Sequence, residues 1–222
     1  MRNFLLASLF LSLVAAVAVV PASADSVVYS SGPANDNYGA WQINDSWSAT
    51  DSFTVAAGGE GDIISGATFV LWLNSGDTLS KITWSISTGQ YGAGTLYGSG
   101  TASTANVDGG HNTYGFKIDT ASFSGLNLYL APGTYYFTLQ RGITADNQQV
   151  WWDENDGSST GYATSAPGAI GTYDCSVNGD CGLSGGETFG LDGFYAPEPS
   201  SFMLLGSGLV GLAGMLKRKL NA

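Results

Sequence analysis

The sequence IISGATFVLWL, residues 63–73, is the longest apolar stretch in the interior of the chain. Positions 69–73 are all apolar, so the alternation of a half-buried strand is lost there. A short continuous apolar run bounded by turn residues is typical of a β-strand that is buried on both faces. Gly66 interrupts the run and predicts a β-bulge, and Asn74-Ser75-Gly76-Asp77 predicts the turn that ends the strand.

Apolar and polar residues alternate in several other segments, which predicts strands with one buried face. Pro132-Gly133 has the signature of a type II turn and predicts a hairpin between the segments on either side of it. Shorter strand candidates are residues 26–30, 51–55, 95–105, 150–153 and 188–195. The alternating apolar positions are Ile82, Trp84 and Ile86; Tyr114, Phe116 and Ile118; Leu126, Leu128 and Leu130; and Tyr135, Phe137 and Leu139.

About nine or ten short strands separated by turn signals predict an all-β fold, an antiparallel β-sandwich of jelly-roll type. Glycine makes up 32 of the 222 residues, which suits many tight turns, and its lack of a fixed period excludes collagen. Residues 25–196 are long enough for one domain with a single core. Helices are expected only in the two terminal segments that flank it.

Residues 1–24 have the organisation of a secretory signal peptide. Arg2 supplies the basic end, residues 4–20 are apolar, and Ala22-Ser23-Ala24 forms a small-residue cleavage site. The mature chain is therefore expected to begin at Asp25, and an uncleaved N-terminal anchor is the alternative.

Residues 197–222 combine three features in a fixed order. Pro197-Glu198-Pro199 favours open backbone, because proline fixes φ and biases its predecessor towards an extended conformation. Residues 202–216 follow as an apolar run, which as a helix spans roughly 22 Å against a hydrocarbon core of about 30 Å. Lys217, Arg218 and Lys219 form a basic stop that is expected to stay cytoplasmic and to snorkel.

This tail resembles the PEP-CTERM sorting signal, in which a Pro-Glu-Pro triplet, one glycine-rich hydrophobic helix and a basic end lie at the C-terminus. The resemblance implies that an exosortase, a membrane cysteine protease, processes the chain near Pro197-Glu198-Pro199. It also implies export in a Gram-negative bacterium that makes exopolysaccharide. The helix would hold the precursor in the inner membrane, and the processed chain would reach the cell surface or extracellular matrix. A plain C-terminal anchor after a proline-rich linker is the alternative.

The charge of residues 25–196 limits the choice of partners. This segment has 17 Asp and Glu residues against Lys81, Lys117 and Arg141, a formal net charge of −14. Nucleic acids and anionic membrane surfaces would be repelled by it. Cations, neutral polysaccharide and solvent are the compatible neighbours.

Cys175 and Cys181 are the only cysteines, and an even pair in an exported chain predicts a local disulfide. Catalytic motifs find little support in the sequence. His111 is the only histidine, it lies in a turn-like Gly109-Gly110-His111-Asn112 segment, and no Gly-x-Ser-x-Gly motif accompanies it. The chain is therefore expected not to be an enzyme.

The most suggestive binding feature is Trp151-Trp152, which runs directly into Asp153, Glu154 and Asp156. Successive strand residues face opposite sides, so one indole is expected near the rim of the domain, beside the clustered carboxylates. Aromatic faces stack on sugar rings, and carboxylates accept hydrogen bonds from sugar hydroxyls.

Calcium is an alternative ligand for these acids, because it prefers several oxygen ligands on a tight loop. Residues 153–157 provide such oxygens, and residues 174–180 resemble the start of an EF-hand loop, although Gly185 stands where that loop would end in glutamate. No cofactor is otherwise expected. The observations favour a non-catalytic exported protein of the cell surface or extracellular matrix that is associated with exopolysaccharide. The alternative is a polysaccharide-binding module, with or without a dependence on calcium.

Processing at both ends is directly testable. Cleavage after Ala24 and a second cut near Pro197-Glu198-Pro199 should leave a product without the N-terminal apolar segment and without Lys217, Arg218 and Lys219. Intact-mass measurement of the protein isolated from its host checks both cuts. A mature species that keeps the basic stop would contradict the exosortase interpretation.

Overall fold

The computed structural model describes residues 26–34, 39–57, 59–155, 161–165, 172–173, 186–195 and 199–220. These residues form two antiparallel sheets packed as a sandwich and one C-terminal helix, which confirms the predicted all-β fold. A 3-10 turn is present at Gln90–Gly92. The elements are β1 (Ser26–Ser30), β2 (Ala40–Gln42), β3 (Trp47–Val55), β4 (Asp62–Leu73), β5 (Leu79–Ser87), β6 (Leu96–Ser103), β7 (Ala105–His111), β8 (Lys117–Leu130), β9 (Gly133–Thr144), β10 (Val150–Asp153), β11 (Gly161–Ser165), β12 (Thr172–Tyr173), β13 (Phe189–Tyr195) and α1 (Pro199–Leu220).

The strand order is that of a jelly roll. In sheet A, β1 pairs with β13, β13 with β4, and β4 with β8. In sheet B, β3 pairs with β9, β9 with β5, and β5 with β6. Among these eight strands the first in sequence pairs with the last, the second with the seventh, the third with the sixth and the fourth with the fifth. The chain thus pairs along its length like one long hairpin that is folded over, and its strands are divided between two sheets. This is the jelly-roll arrangement that the sequence predicted.

Strand β4 is the centre of sheet A and contains the apolar stretch with which the sequence analysis began. Its neighbours are β8 along one side, and β13 and then β10 along the other. The predicted bulge is confirmed, because the register shifts between Ile64 and Gly66. A Cβ at Gly66 would lie 2.7 Å from the carbonyl oxygen of Phe123, so the close approach of β8 requires glycine there.

The core lies between the sheets and is built from the inward side chains of both. Sheet A contributes Phe69, Leu71 and Leu73 from β4, and sheet B contributes Ile82, Trp84 and Ile86 from β5, all of them buried. The alternation seen in the sequence therefore corresponds to the inward faces of strands from opposite sheets.

The hairpin predicted around Pro132-Gly133 is wrong. Strand β8 belongs to sheet A and β9 to sheet B, so the short turn connects the two sheets. Leu130 and Tyr135, which flank the turn, are both buried in the common core. Two alternating segments joined by a tight turn have the same sequence pattern whether they pair with each other or face each other across a core.

The terminal features are only partly described. Residues 1–25 and Cys175 and Cys181 lie outside the described residues, as do Pro197 and Glu198. The C-terminal helix α1 has 22 residues and begins at Pro199, within the triplet. Among the described residues, no helix combines the length and apolarity required of a membrane span.

The end of β13 offers a sharp stability test. A second register shift occurs between Asp192 and Gly193, and a Cβ at Gly193 would lie 2.1 Å from the carbonyl oxygen of Ile63. We expect Gly193→Ala to destabilise the fold by about 2–4 kcal/mol, since the backbone of β4 must move. Gly190→Ala is the control on the same strand, because its nearest contact would be 3.4 Å, to the oxygen of Tyr29. Urea unfolding of both variants checks this, and equal stabilities would contradict the role given to Gly193.

Candidate functional site

Strand β10 sends its two indoles to opposite faces of sheet A. Trp152 points inward and is fully buried, and its indole N–H donates to the carbonyl oxygen of Thr188 at 3.0 Å. Trp151 lies opposite Trp72 of β4 and stays half-buried on the outer face. The prediction that one indole remains near the surface therefore applies to Trp151, and Trp152 is a core residue.

Four aromatic side chains, Trp72, Tyr114, Phe116 and Trp151, form what we call the aromatic surface on the outer face of sheet A. The ring of Tyr114 stacks on Trp72 with centroids 5.8 Å apart and planes inclined by 26°. Phe116 lies 5.7 Å from Trp72 and meets Trp151 edge-on at 5.1 Å. Tyr114 is 63% exposed. Such contacts fix the rings relative to one another and leave part of the surface accessible.

The turn before β8 holds two of these rings in place. The Asn112 side-chain oxygen accepts hydrogen bonds from the backbone N–H groups of Tyr114 and Phe116, each at 3.0 Å. Gly115 has a φ of 86°, which favours glycine, and its N–H donates to the Asn112 carbonyl oxygen at 3.1 Å. A polar side chain thus sets the position of an aromatic pair.

Asp153 is buried beneath this surface and does not line an exposed rim. The indole N–H of Trp72 donates to one carboxylate oxygen at 2.5 Å, and the hydroxyl of Thr188 donates to the other at 2.8 Å. The carboxylate therefore orients Trp72. The expectation that Asp153 is a surface acceptor is corrected, because both of its oxygens serve internal donors.

A second group of carboxylates, which we call the inter-sheet acids, consists of Asp51, Glu154 and Glu187. Asp51 is an inward residue of β3 whose two oxygens accept the backbone N–H groups of Ser52 at 2.6 Å and Glu187 at 2.7 Å. Glu154 and Glu187 face each other in an isolated antiparallel bridge. Glu154 accepts the indole N–H of Trp41. All three acids are buried, so Glu154 is also removed from the expected surface rim.

Glu187 is the most unfavourably placed of the three carboxylates if it is ionised. The residue is 0% exposed, and neither carboxylate oxygen has a hydrogen-bond partner among the residues that the structure describes. Burial raises the pKa of Glu187 well above its ordinary value, and repulsion from Glu154, Asp51 and Asp153 raises it further. Burial likewise raises the pKa of Glu154 to about 7, although the hydrogen bond from Trp41 acts in the opposite direction.

Calcium gains no support from this geometry. Within the described part of the chain, no three His, Cys, Asp or Glu side chains are placed to hold a metal ion. Asp156 of the expected ligand surface and residues 174–180 lie outside the described residues. Protonation is the simpler way to neutralise Glu187, since an uncharged carboxyl avoids most of the cost of burial.

A groove of about 290 Å³ adjoins the aromatic surface. It lies between β1, β13 and β4 and is lined by residues that include Val27, Thr68 and Gly190. Val70 and Ala34 also line it, and both belong to the outer hydrophobic cluster that contains Trp72 and Trp151. The groove is therefore next to the aromatic surface, and Val70 and Ala34 are common to the groove and to that cluster.

Sequence reasoning found Trp151 but missed its companions. Trp72, Tyr114 and Phe116 were assigned only to strands, and Glu187 was not singled out. Trp72 could have been found from the apolar run of β4, because a strand buried on both faces needs a cover on its outer side. Glu187 could not be found from its sequence neighbours, because the carboxylate that accepts its backbone N–H belongs to Asp51, 136 positions away.

The β-sandwich is followed by a C-terminal tail that carries the evidence for location. Residues 196–219 match the family model of the PEP-CTERM protein-sorting motif, which confirms the resemblance drawn from the sequence. The motif implies processing by an exosortase. A search among curated proteins found no match to the chain.

The raised pKa of Glu154 predicts a pH-dependent stability. Its folded pKa of about 7 exceeds the ordinary 4.5, so the folded state holds a proton that the unfolded state loses first. The contribution of protonated Glu154 to the free energy of unfolding is complete below about pH 4.5. It decreases by about 3 kcal/mol in total as the pH rises to about 7. Glutamine mimics the protonated acid, so Glu154→Gln should lose less stability than the wild type over this range.

Urea unfolding at about pH 5 and about pH 8 measures the difference between these proteins. Glu60→Gln is the control, because Glu60 is an exposed glutamate away from the inter-sheet acids. If the wild type and Glu154→Gln lose the same free energy of unfolding between the two conditions, Glu154 is not the titrating group.

Proposed function

We propose that this chain is a non-catalytic exported protein of the cell surface or extracellular matrix that associates with exopolysaccharide through its β-sandwich. The aromatic surface is the observation that carries this proposal. Tyr114 is 63% exposed and Trp151 is half-buried on the outer face of sheet A, and sugar rings bind to exposed aromatic rings by stacking. The sorting motif supports the proposal, because it implies export to the cell surface, where the domain would meet exopolysaccharide.

The tail supports a two-stage route to that location. Helix α1 would hold the precursor at the inner membrane until an exosortase cuts near Pro197-Glu198-Pro199. The apolar part of the helix, residues 202–216, spans roughly 22 Å, and long basic side chains can extend its reach at one end. Lys217 and Lys219 are exposed at that end. The cut would then release the sandwich from the membrane span and leave it outside the cell.

The absence of catalysis is part of the proposal. Glu154 and Glu187, whose pKa values are raised by burial, lie with Asp51 between the sheets and away from the aromatic surface. The acid next to that surface, Asp153, is occupied by hydrogen bonds from Trp72 and Thr188. This arrangement suits a surface that binds a glycan without reacting with it.

Retention by polysaccharide tests the proposal. Co-sedimentation of the mature protein with exopolysaccharide from its host should be observed. Tyr114→Ala and Trp151→Ala should each weaken retention by about three- to tenfold, since one ring contact is lost. The control is Tyr129→Ala, which removes a ring that is 54% exposed at the far end of β8. Equal retention of all three variants would contradict the proposal.

Repeating the retention experiment with a calcium chelator distinguishes the proposed function from a calcium-dependent polysaccharide-binding module. A calcium-dependent polysaccharide-binding module would lose retention when calcium is removed and regain it when calcium is returned. The site proposed here uses stacked rings, so its retention should be unchanged by chelator. Thermal unfolding of each variant confirms that the sandwich is intact.

A further inference from the structure

We propose that the aromatic surface and the adjoining groove form one continuous site, which binds an internal stretch of an uncharged polysaccharide. This inference rests on the proposed association with polysaccharide. It adds the chemical class of the glycan and the way in which the chain is held.

The two parts are joined without a break. Val70 and Ala34 line the groove and also pack in the outer cluster with Trp72 and Trp151. The combined site runs from β1 across β13 to β4 and then along β4 from Thr68 to Trp72, beside Trp151 of β10. Thr68 and Trp72 are four positions apart on β4, roughly 13 Å at about 3.3 Å per residue, which is more than a single sugar ring can span. The site therefore has room for several consecutive rings.

Both ends of the site finish in exposed side chains. Tyr114 stands at the aromatic end and is 63% exposed, and Val27 stands at the groove end on the edge strand β1 and is 60% exposed. A polymer lying across the sheet can continue past either residue. This geometry favours binding to the middle of a chain, and a blind pocket would instead select a chain terminus.

Charge favours a glycan without carboxylates. Asp192 is the charged residue among those lining the groove, and it accepts a hydrogen bond from the hydroxyl of Thr68 at 3.4 Å. Lys117 is buried against Asp119 at 2.9 Å. Lys81 and Arg141 belong to β5 and β9 of the opposite sheet. A polyanion would thus meet an acidic domain with no cation on this face of the described structure.

Uncharged hydroxyls suit the polar groups that are present. Thr68 and Asp192 in the groove can exchange hydrogen bonds with sugar hydroxyls, while the rings of Tyr114 and Trp151 cover the apolar faces of the sugars. An ammonium-bearing glycan would gain one favourable charge contact at Asp192, and an uncharged glycan uses the whole length of the site.

The test compares oligosaccharide ladders by calorimetric titration of the mature protein isolated from its host. The uncharged probes are cello-, laminari- and isomalto-oligosaccharides, from disaccharide to hexasaccharide, and the charged probes are oligogalacturonates and chitosan oligomers of the same lengths. We expect at least one uncharged ladder to bind about tenfold more tightly as the tetrasaccharide than as the disaccharide. Neither charged ladder should bind more tightly than that tetrasaccharide.

A groove-filling variant separates the two halves of the site. A Cβ at Gly190 would make ordinary contacts of 3.4 Å or more, and Gly190 lines the groove, so Gly190→Val is expected to narrow the groove. It should reduce tetrasaccharide affinity to the level of the disaccharide and leave disaccharide affinity unchanged. Trp151→Ala should weaken both. Thr83→Val on the outer face of sheet B is the matched control, and Ala34→Leu replaces Gly190→Val if thermal unfolding shows that the valine variant is unstable.

The outcomes distinguish a failure of this inference from a failure of the proposed association with exopolysaccharide. Equal affinity at all lengths, tighter binding of either charged ladder, or no effect of filling the groove would overturn the continuous uncharged-glycan site. Retention of the protein by exopolysaccharide, with its dependence on Trp151, would still stand in those cases. Loss of that retention itself would overturn the proposed function and the inference together.

Discussion

The structure depends on a central strand that is hydrophobic on both faces. Strand β4 sends Phe69, Leu71 and Leu73 into the space between the sheets, and it sends Val70 and Trp72 outward. An antiparallel sheet can leave its outer face to water only if that face is polar. Here it is apolar, so a second hydrophobic layer must cover it. Trp151 and Phe116 supply that layer, and the accessible edge of the layer is the aromatic surface.

The same alternation explains why two consecutive tryptophans have different roles. Strand β10 is paired with β4 on one side and β2 on the other, which leaves Trp152 facing the core and Trp151 facing outward. The next pair repeats the division, with Asp153 beneath the outer layer and Glu154 between the sheets. A register slip of one residue would exchange all four side chains, so pairing with β4 specifies both the core and the surface.

How much of this could be predicted depends on the range of the signals. The bulge at Gly66, the inward faces of β5 and β9 and the opposite orientation of the two indoles all follow from residues close in sequence, and the structure bears them out. The connection at Pro132-Gly133 was misread, because alternation does not say which sheet a strand joins. The inter-sheet acids could not be found at all. Asp51 and Glu187 come together only when β3 and the segment before β13 meet across the core.

The pairing of β1 with β13 has a mechanical consequence. Ser26 lies beside Gly193, so the first and last strands of the sandwich run side by side in opposite directions. Strand β13 also pairs with β4 along its other side. A pull on the C-terminal end of the sandwich would therefore load a strand with hydrogen-bonded neighbours on both sides, which resists peeling better than an edge strand with one. The strand nearest the C-terminal helix in sequence is therefore held by backbone hydrogen bonds from both sides.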